Sequence, residues 1–144
     1  MSNWTYLGKP IDELDLSSFI GFVYIIERID TGRKYVGKKL LTSRKTRAPL
    51  KGQKRKRVSQ VKSDYETYFG SNEELKAEVA ALGAENFRRT VLHFCKGKGE
   101  MSYLEMKEQI LRDVLLKPSE YYNGYVGGRI ARSHVKNLTV DTSS

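Results

Sequence analysis

Two tyrosines separated by ten residues, Tyr24 and Tyr35, are the first groups in this chain whose type and spacing could do chemistry. They lie in the run from Phe22 to Lys39, FVYIIERIDTGRKYVGKK. A phenol at its reference pKa of about 10 is a poor base near neutrality. Adjacent cations favour the phenolate, and Lys38 and Lys39 follow Tyr35 closely enough to supply them. The alternative use of such a pair is packing, as two aromatics facing each other across neighbouring strands.

The elements that position the pair are legible. Phe22 to Ile29 is dense in β-branched and aromatic residues, which suit a pleated strand. Asp30-Thr31-Gly32-Arg33 is turn chemistry, because Asp caps its own backbone and Gly supplies a positive φ. Lys34 to Gly37 resumes as a second strand, so an antiparallel hairpin is expected.

The net charge is +9, and its location matters more than its size. Thirteen Lys or Arg and no Asp or Glu lie between Thr31 and Ser63, so the rest of the chain is net acidic. A local patch of this kind concentrates polyanions and speeds their encounter. No helical or strand period holds from 40 to 63, so a long basic loop is expected over 38–63. Lys45, Arg47, Lys51, Lys54, Arg55, Lys56, Arg57 and Lys62 would lie along a nucleic-acid backbone, giving affinity without sequence discrimination. A solvated loop or a localisation signal is the competing use of such a run.

At 144 residues the chain fits one domain with a core of its own. A single cysteine, Cys95, excludes an intrachain disulfide and fits a reducing compartment; it lies in an apolar run as a buried structural thiol. No stretch is long and apolar enough to cross a bilayer, and the first residues lack the order of a signal peptide. A soluble, intracellular protein is expected.

Further along, residues 1–18 form a leader that packs an aromatic or two against the domain. Asp64 to Gly70 interleaves aromatics that could stack on bases or pack a helix to the sheet. Ser71-Asn72-Glu73-Glu74 reads as a capping box with Ser71 as N-cap, and Leu75, Val79 and Leu82 follow at helical spacing up to a stop at Gly83. Phe87 to Cys95 is a strand by composition, with His93 a surface or half-buried member of it. Ser102 to Leu116 is a second helix, ended by Lys117-Pro118. Tyr121 to Tyr125 is a turn entering a last short strand, and 129–144 is a polar tail. The fold class is α+β: a small antiparallel or mixed three-stranded sheet flanked by helices.

Phe22-Val23-Tyr24, ten residues, then Tyr35-Val36-Gly37 resembles the paired motif of the GIY-YIG nucleases. Phe22 stands where the family has its leading Gly, and Gly21 lies one place earlier. The resemblance covers roughly 21–126, and a nuclease domain over 19–128 follows from it. It implies a metal-dependent DNA endonuclease in which Tyr24 is the general base or its relay, with Tyr35 beside it. It further implies one Glu-held Mg²⁺ or Mn²⁺. That carboxylate falls on Glu105, with Glu108 the runner-up. Ser102 and Glu105 also have capping-box spacing, so the same carboxylate could serve only a helix start. Asn123, in Tyr122-Asn123, matches a Tyr-Asn pair of the family, and would hold Glu105 or the final strand. The family's phosphate-gripping Arg falls nearest Arg44, with Lys45 and Arg47 close by, or Lys39 in its stead. Small members of the family are carried by phages and mobile elements, which leaves homing, restriction and host-DNA degradation open. It also places the protein in the cytoplasm of a bacterial or phage-infected cell. A homodimer is one way to reach a longer site. Two readings compete: a non-catalytic nucleic-acid-binding module, and an interaction protein that docks an acidic partner.

Overall fold

A computed structural model describes residues 3–47, 49, 51–52, 57–127 and 129–138, with the backbone alone at 44–47 and 57–60. Among these residues nine strands and two α-helices run in the order β1 (Trp4–Tyr6), β2 (Lys9–Pro10), β3 (Gly21–Arg28), β4 (Lys34–Leu40), β5 (Thr42–Arg47), β6 (Arg57–Lys62), α1 (Glu73–Leu82), β7 (Phe87–Cys95), α2 (Lys98–Leu111), β8 (Tyr125–Val126) and β9 (Ile130–Ala131). The main sheet has five strands in the order β2-β1-β7-β3-β4, where three were expected. The extra pair comes from the first ten residues: β1 runs parallel to β7, and Trp4 is fully buried beneath the sheet. Too short to show a period, β1 owes its place to that one indole and to pairing with β7.

The β3–β4 hairpin forms as expected, with Tyr24 opposite Gly37 and Ile26 opposite Tyr35. Its central strand shows no alternation because it is covered on both faces. One face carries Phe22, Tyr24 and Ile26 against Trp4 and Leu75 of α1. The other carries Val23 against Cys95 and Met101 of α2. Cys95 is fully buried there.

Three boundaries differ from expectation for local reasons. Asn72 rather than Ser71 caps α1, accepting from the Leu75 N–H at 2.9 Å. Helix α2 begins at Lys98, four residues before Ser102, because Gly97 and Gly99 hide its first turn. It ends at Leu111: Asp113 takes φ 53°, and Val114 N–H bonds back to the Gln109 carbonyl in a Schellman turn. Val114 and Leu115 continue the apolar spacing from non-helical turns, which extends the period past the true end.

The stretch expected as a basic loop contains the β5–β6 pair, a two-stranded ribbon that joins neither other sheet. Its sequence carries no apolar alternation, and nothing in the pattern marks it as strand. Among the described residues no helix is long and apolar enough to cross a membrane.

Candidate active site

Strand β4 is the last in the sheet, and its outer edge is only half covered. Lys34 donates to the Glu120 carbonyl and accepts from the Tyr122 N–H, both at 2.8 Å. One step on, the Asn123 side chain takes over from the backbone. Its Oδ1 accepts from the Val36 N–H at 3.0 Å and its Nδ2 donates to the Val36 carbonyl at 2.8 Å. Gln109 Nε2 donates to the same carbonyl at 3.0 Å. A primary amide thus replaces a strand residue, and the chain then turns away at Gly124.

Beyond that point the edge opens into a cleft of about 480 Å³, lined by Tyr35, Lys38, Ser71, Asn72, Glu105 and Asn123 among others. Tyr35 and Lys38 belong to opposite faces of β4, so they meet by wrapping round its free edge. Tyr35 comes from the α1 side, where its hydroxyl shares a 2.9 Å hydrogen bond with Ser71 Oγ. Lys38 comes from the α2 side, donating to Ser102 Oγ at 2.8 Å and lying 3.9 Å from Glu105 Oε1. Ser102 and Glu105 are interior residues of α2 and form no capping box.

Tyr24 sits behind this cleft rather than in it. Its ring is wholly buried among Trp4, Phe22, Tyr68 and Tyr35, with the two site rings 6.2 Å apart. Its hydroxyl lies across the partner strand: a Cβ on Gly37 would stand 2.5 Å from it. The final Gly of Tyr35-Val36-Gly37 is therefore a packing requirement of Tyr24. That hydroxyl is fully buried and has no hydrogen-bond partner among the described residues.

Burial pushes Tyr24 well above the usual phenol range, with the Tyr68 and Tyr35 phenols adding to it. Tyr35 is raised too, chiefly by burial and only partly offset by Ser71. The expected cationic help is absent in this arrangement. Lys38 faces Ser102 and Glu105, while Lys39 pairs with Asp64 at 2.6 Å and lies 4.2 Å over the Tyr68 ring. Both phenols are neutral at pH 7.

The Glu105 side chain is 13% exposed, and its one ion pair among the described residues is the long contact to Lys38. Burial raises its pKa, with Lys38 opposing. A mostly buried carboxylate with so little protein compensation is the donor chemistry a hard divalent cation takes, and water and phosphate oxygens can complete the shell. No cluster of three or more His, Cys, Asp or Glu occurs among the described residues, and Glu105 is the mostly buried carboxylate that lines the cleft. Glu108 is committed elsewhere: it pairs with Arg112 and accepts from His93 at 2.8 Å. Burial, with Lys107 and Arg112 nearby, holds the His93 imidazole below its usual pKa.

Of the basic candidates, Arg44, Lys45 and Arg47 lie on β5 and Arg57 on β6. Lys51 is exposed, and Lys62 pairs with Glu66. Lys54, Arg55 and Lys56 lie outside the described residues. Gln109, Ser71 and Asn72 are site residues that sequence reasoning missed. Only Gln109 left a signal, four residues after Glu105 and so on the same helical face.

A family model described as putative endonuclease segE, GIY-YIG domain, matches residues 4–126. No curated protein and no solved structure matches the chain.

Proposed function

We propose, for a chain that belongs to the GIY-YIG endonuclease family, that it hydrolyses phosphodiester bonds of DNA in the cleft at the free edge of β4. The observation that carries this reading is the meeting of Tyr35, Lys38 and Glu105 there, with the unpartnered Tyr24 hydroxyl directly behind. The coarser statement, a nuclease acting on DNA, follows from the family itself.

In this mechanism the scissile phosphate enters between Tyr35 and Glu105. Lys38, whose side chain is 40% exposed, moves from Ser102 to a phosphate oxygen and stabilises the charge that develops in the transition state. Tyr35, neutral at rest, orients the attacking water through its hydroxyl and exchanges its Ser71 bond for one to that water. Tyr24, neutral at rest, acts only as a relay: its hydroxyl takes up the proton of the water as it passes its own to a non-bridging oxygen of the phosphate, so that no charged phenol is left behind. Glu105 would hold the Mg²⁺ or Mn²⁺ on which the family depends, an ion that supplies positive charge beside the phosphate and the leaving oxygen. Asn123 is a positioning residue that fixes the edge strand between Tyr35 and Lys38.

The test is conversion of supercoiled plasmid to nicked or linear form, with Mg²⁺ and with chelator. Mg²⁺-dependent scission, lost in Glu105→Ala and in Tyr35→Phe, supports the reading. Salt-sensitive DNA binding without scission under any divalent metal would replace it with a non-catalytic binding module.

A further inference from the structure

The β5–β6 ribbon is a part of the described backbone whose presence the main sheet and the cleft do not explain. Six residues on each strand pair in unbroken antiparallel register, from Thr42 opposite Lys62 to Arg47 opposite Arg57. Neither strand pairs with another sheet. A two-stranded hairpin outside any larger sheet is marginal in water, and here Lys62 at its root pairs with Glu66 and lies 5.5 Å over the Tyr65 ring. Such a hairpin gains from a partner that covers its faces.

The chemistry of that partner is set by composition. No acidic residue occurs from Thr31 to Ser63. Opposed residues in an antiparallel pair share a face, and successive pairs alternate. One face therefore carries Thr42 with Lys62, Arg44 with Gln60, and Thr46 with Val58. The other carries Ser43 with Val61, Lys45 with Ser59, and Arg47 with Arg57. Each face combines cations with hydroxyl or amide residues. Arg pairs with guanine edges, Gln with adenine, and Ser or Thr with either, whereas phosphate tracking alone needs only charge.

Dimensions agree with a groove. Each strand of the ribbon spans about 20 Å at roughly 3.3 Å per residue, and a two-stranded ribbon fits the B-DNA major groove, about 12 Å wide. The ribbon is held at its root, where Ser63 N–H donates to the Leu41 carbonyl and Ser63 Oγ to the Leu40 carbonyl. From Lys38 in the cleft to Thr42 at the start of β5 the chain covers about 13 Å at the same rise. A second hollow, lined by Lys38, Lys39, Lys98 and Ser43, joins the cleft to the ribbon root through Lys38. A duplex with the ribbon in its major groove would bring the phosphates bordering that groove to the cleft.

We infer that β5–β6 is a major-groove arm, so that the substrate is double-helical DNA held by base edges as well as by phosphates. The inference rests on the nuclease reading for the role of the cleft, while its test reads binding alone. Full-length protein is titrated by fluorescence anisotropy against a mixed-sequence 30-base-pair duplex and the matching single strand, in chelator so that nothing is cut. Methyl green, which occupies the major groove, should weaken duplex binding by at least tenfold, and netropsin in the minor groove should change it by less than twofold. The Lys45→Ser, Arg47→Ser, Arg57→Ser variant should lose at least tenfold in duplex affinity and bind with a shallower salt slope, about 0.9 per phosphate contact removed. Its single-strand affinity should fall less. The competition series uses the wild-type chain and so stands even if that variant fails to fold. Displacement by netropsin and not by methyl green would overturn the inference, as would equal losses on duplex and single strand. Absence of plasmid scission with Mg²⁺, alongside intact methyl green competition, would sink the nuclease reading and leave the arm standing.

Discussion

Replacing Tyr24 by Phe should make the protein more stable and less active at once. The hydroxyl is buried without a partner, and an unsatisfied buried polar group costs about 1–3 kcal/mol. Phenylalanine keeps the ring contacts with Trp4, Phe22 and Tyr68. The void left by one oxygen, roughly 15 Å³, costs about 0.4 kcal/mol by the cavity relation. The net gain is about 1–2 kcal/mol, which for a chain of this size raises Tm by roughly 2–8 °C. Plasmid nicking should fall about 10²–10⁴-fold, the range of a lost proton-transfer group. Calorimetry in metal-free buffer and a nicking time course on the same preparation check both halves. A lower Tm would show that the hydroxyl is already bonded in the folded protein. Unchanged nicking would remove Tyr24 from the chemistry and leave Tyr35 alone at the cleft.

Glu105→Gln should abolish nicking and raise Tm at neutral pH, because burial disfavours the ionised carboxylate. Since the folded pKa lies above the unfolded one, this group favours folding at low pH and loses that contribution as pH rises through the raised pKa. The Tm advantage of the glutamine variant should therefore shrink as the buffer is acidified, and an advantage constant with pH would contradict the assignment. Gly37→Ala drives a methyl into the Tyr24 hydroxyl, which the surrounding rings hold in place. It should cost about 1–3 kcal/mol by urea denaturation and about 10²-fold in nicking rate, and only part of the stability should return in the Tyr24→Phe background, because ring carbon Cζ still stands 2.7 Å from the added methyl. Asn123→Ala orphans the Val36 N–H, while Gln109 still reaches the Val36 carbonyl. A loss of about 2–3 kcal/mol is expected, with hydrogen exchange rising at the outer edge of β4 before the centre of the sheet.

The hairpin, the strand Phe87–Cys95 and the stop of α1 at Gly83 are legible from residue types alone, because each depends on neighbours a few positions away. The paired motif around Tyr24 and Tyr35, taken with the order of elements that follows it, likewise carries the family resemblance before any fold is seen. What the pattern could not convey is which groups share a surface. Periodicity reports that a residue is covered, and it is silent about what covers it. Trp4 joins the core only because β1 docks beside β7, eighty-five positions from Arg89, its partner in the pairing. Tyr35 and Glu105 share a cleft only because β4 is an outermost strand, so that groups from its two faces meet round the uncovered half of its edge. Asn123 completes that geometry with a side-chain amide in the role of a peptide, and no sequence period encodes such a substitution. Local preference chose the strands and helices; the position of the open edge, a property of the whole sheet, decided where the chemistry could gather.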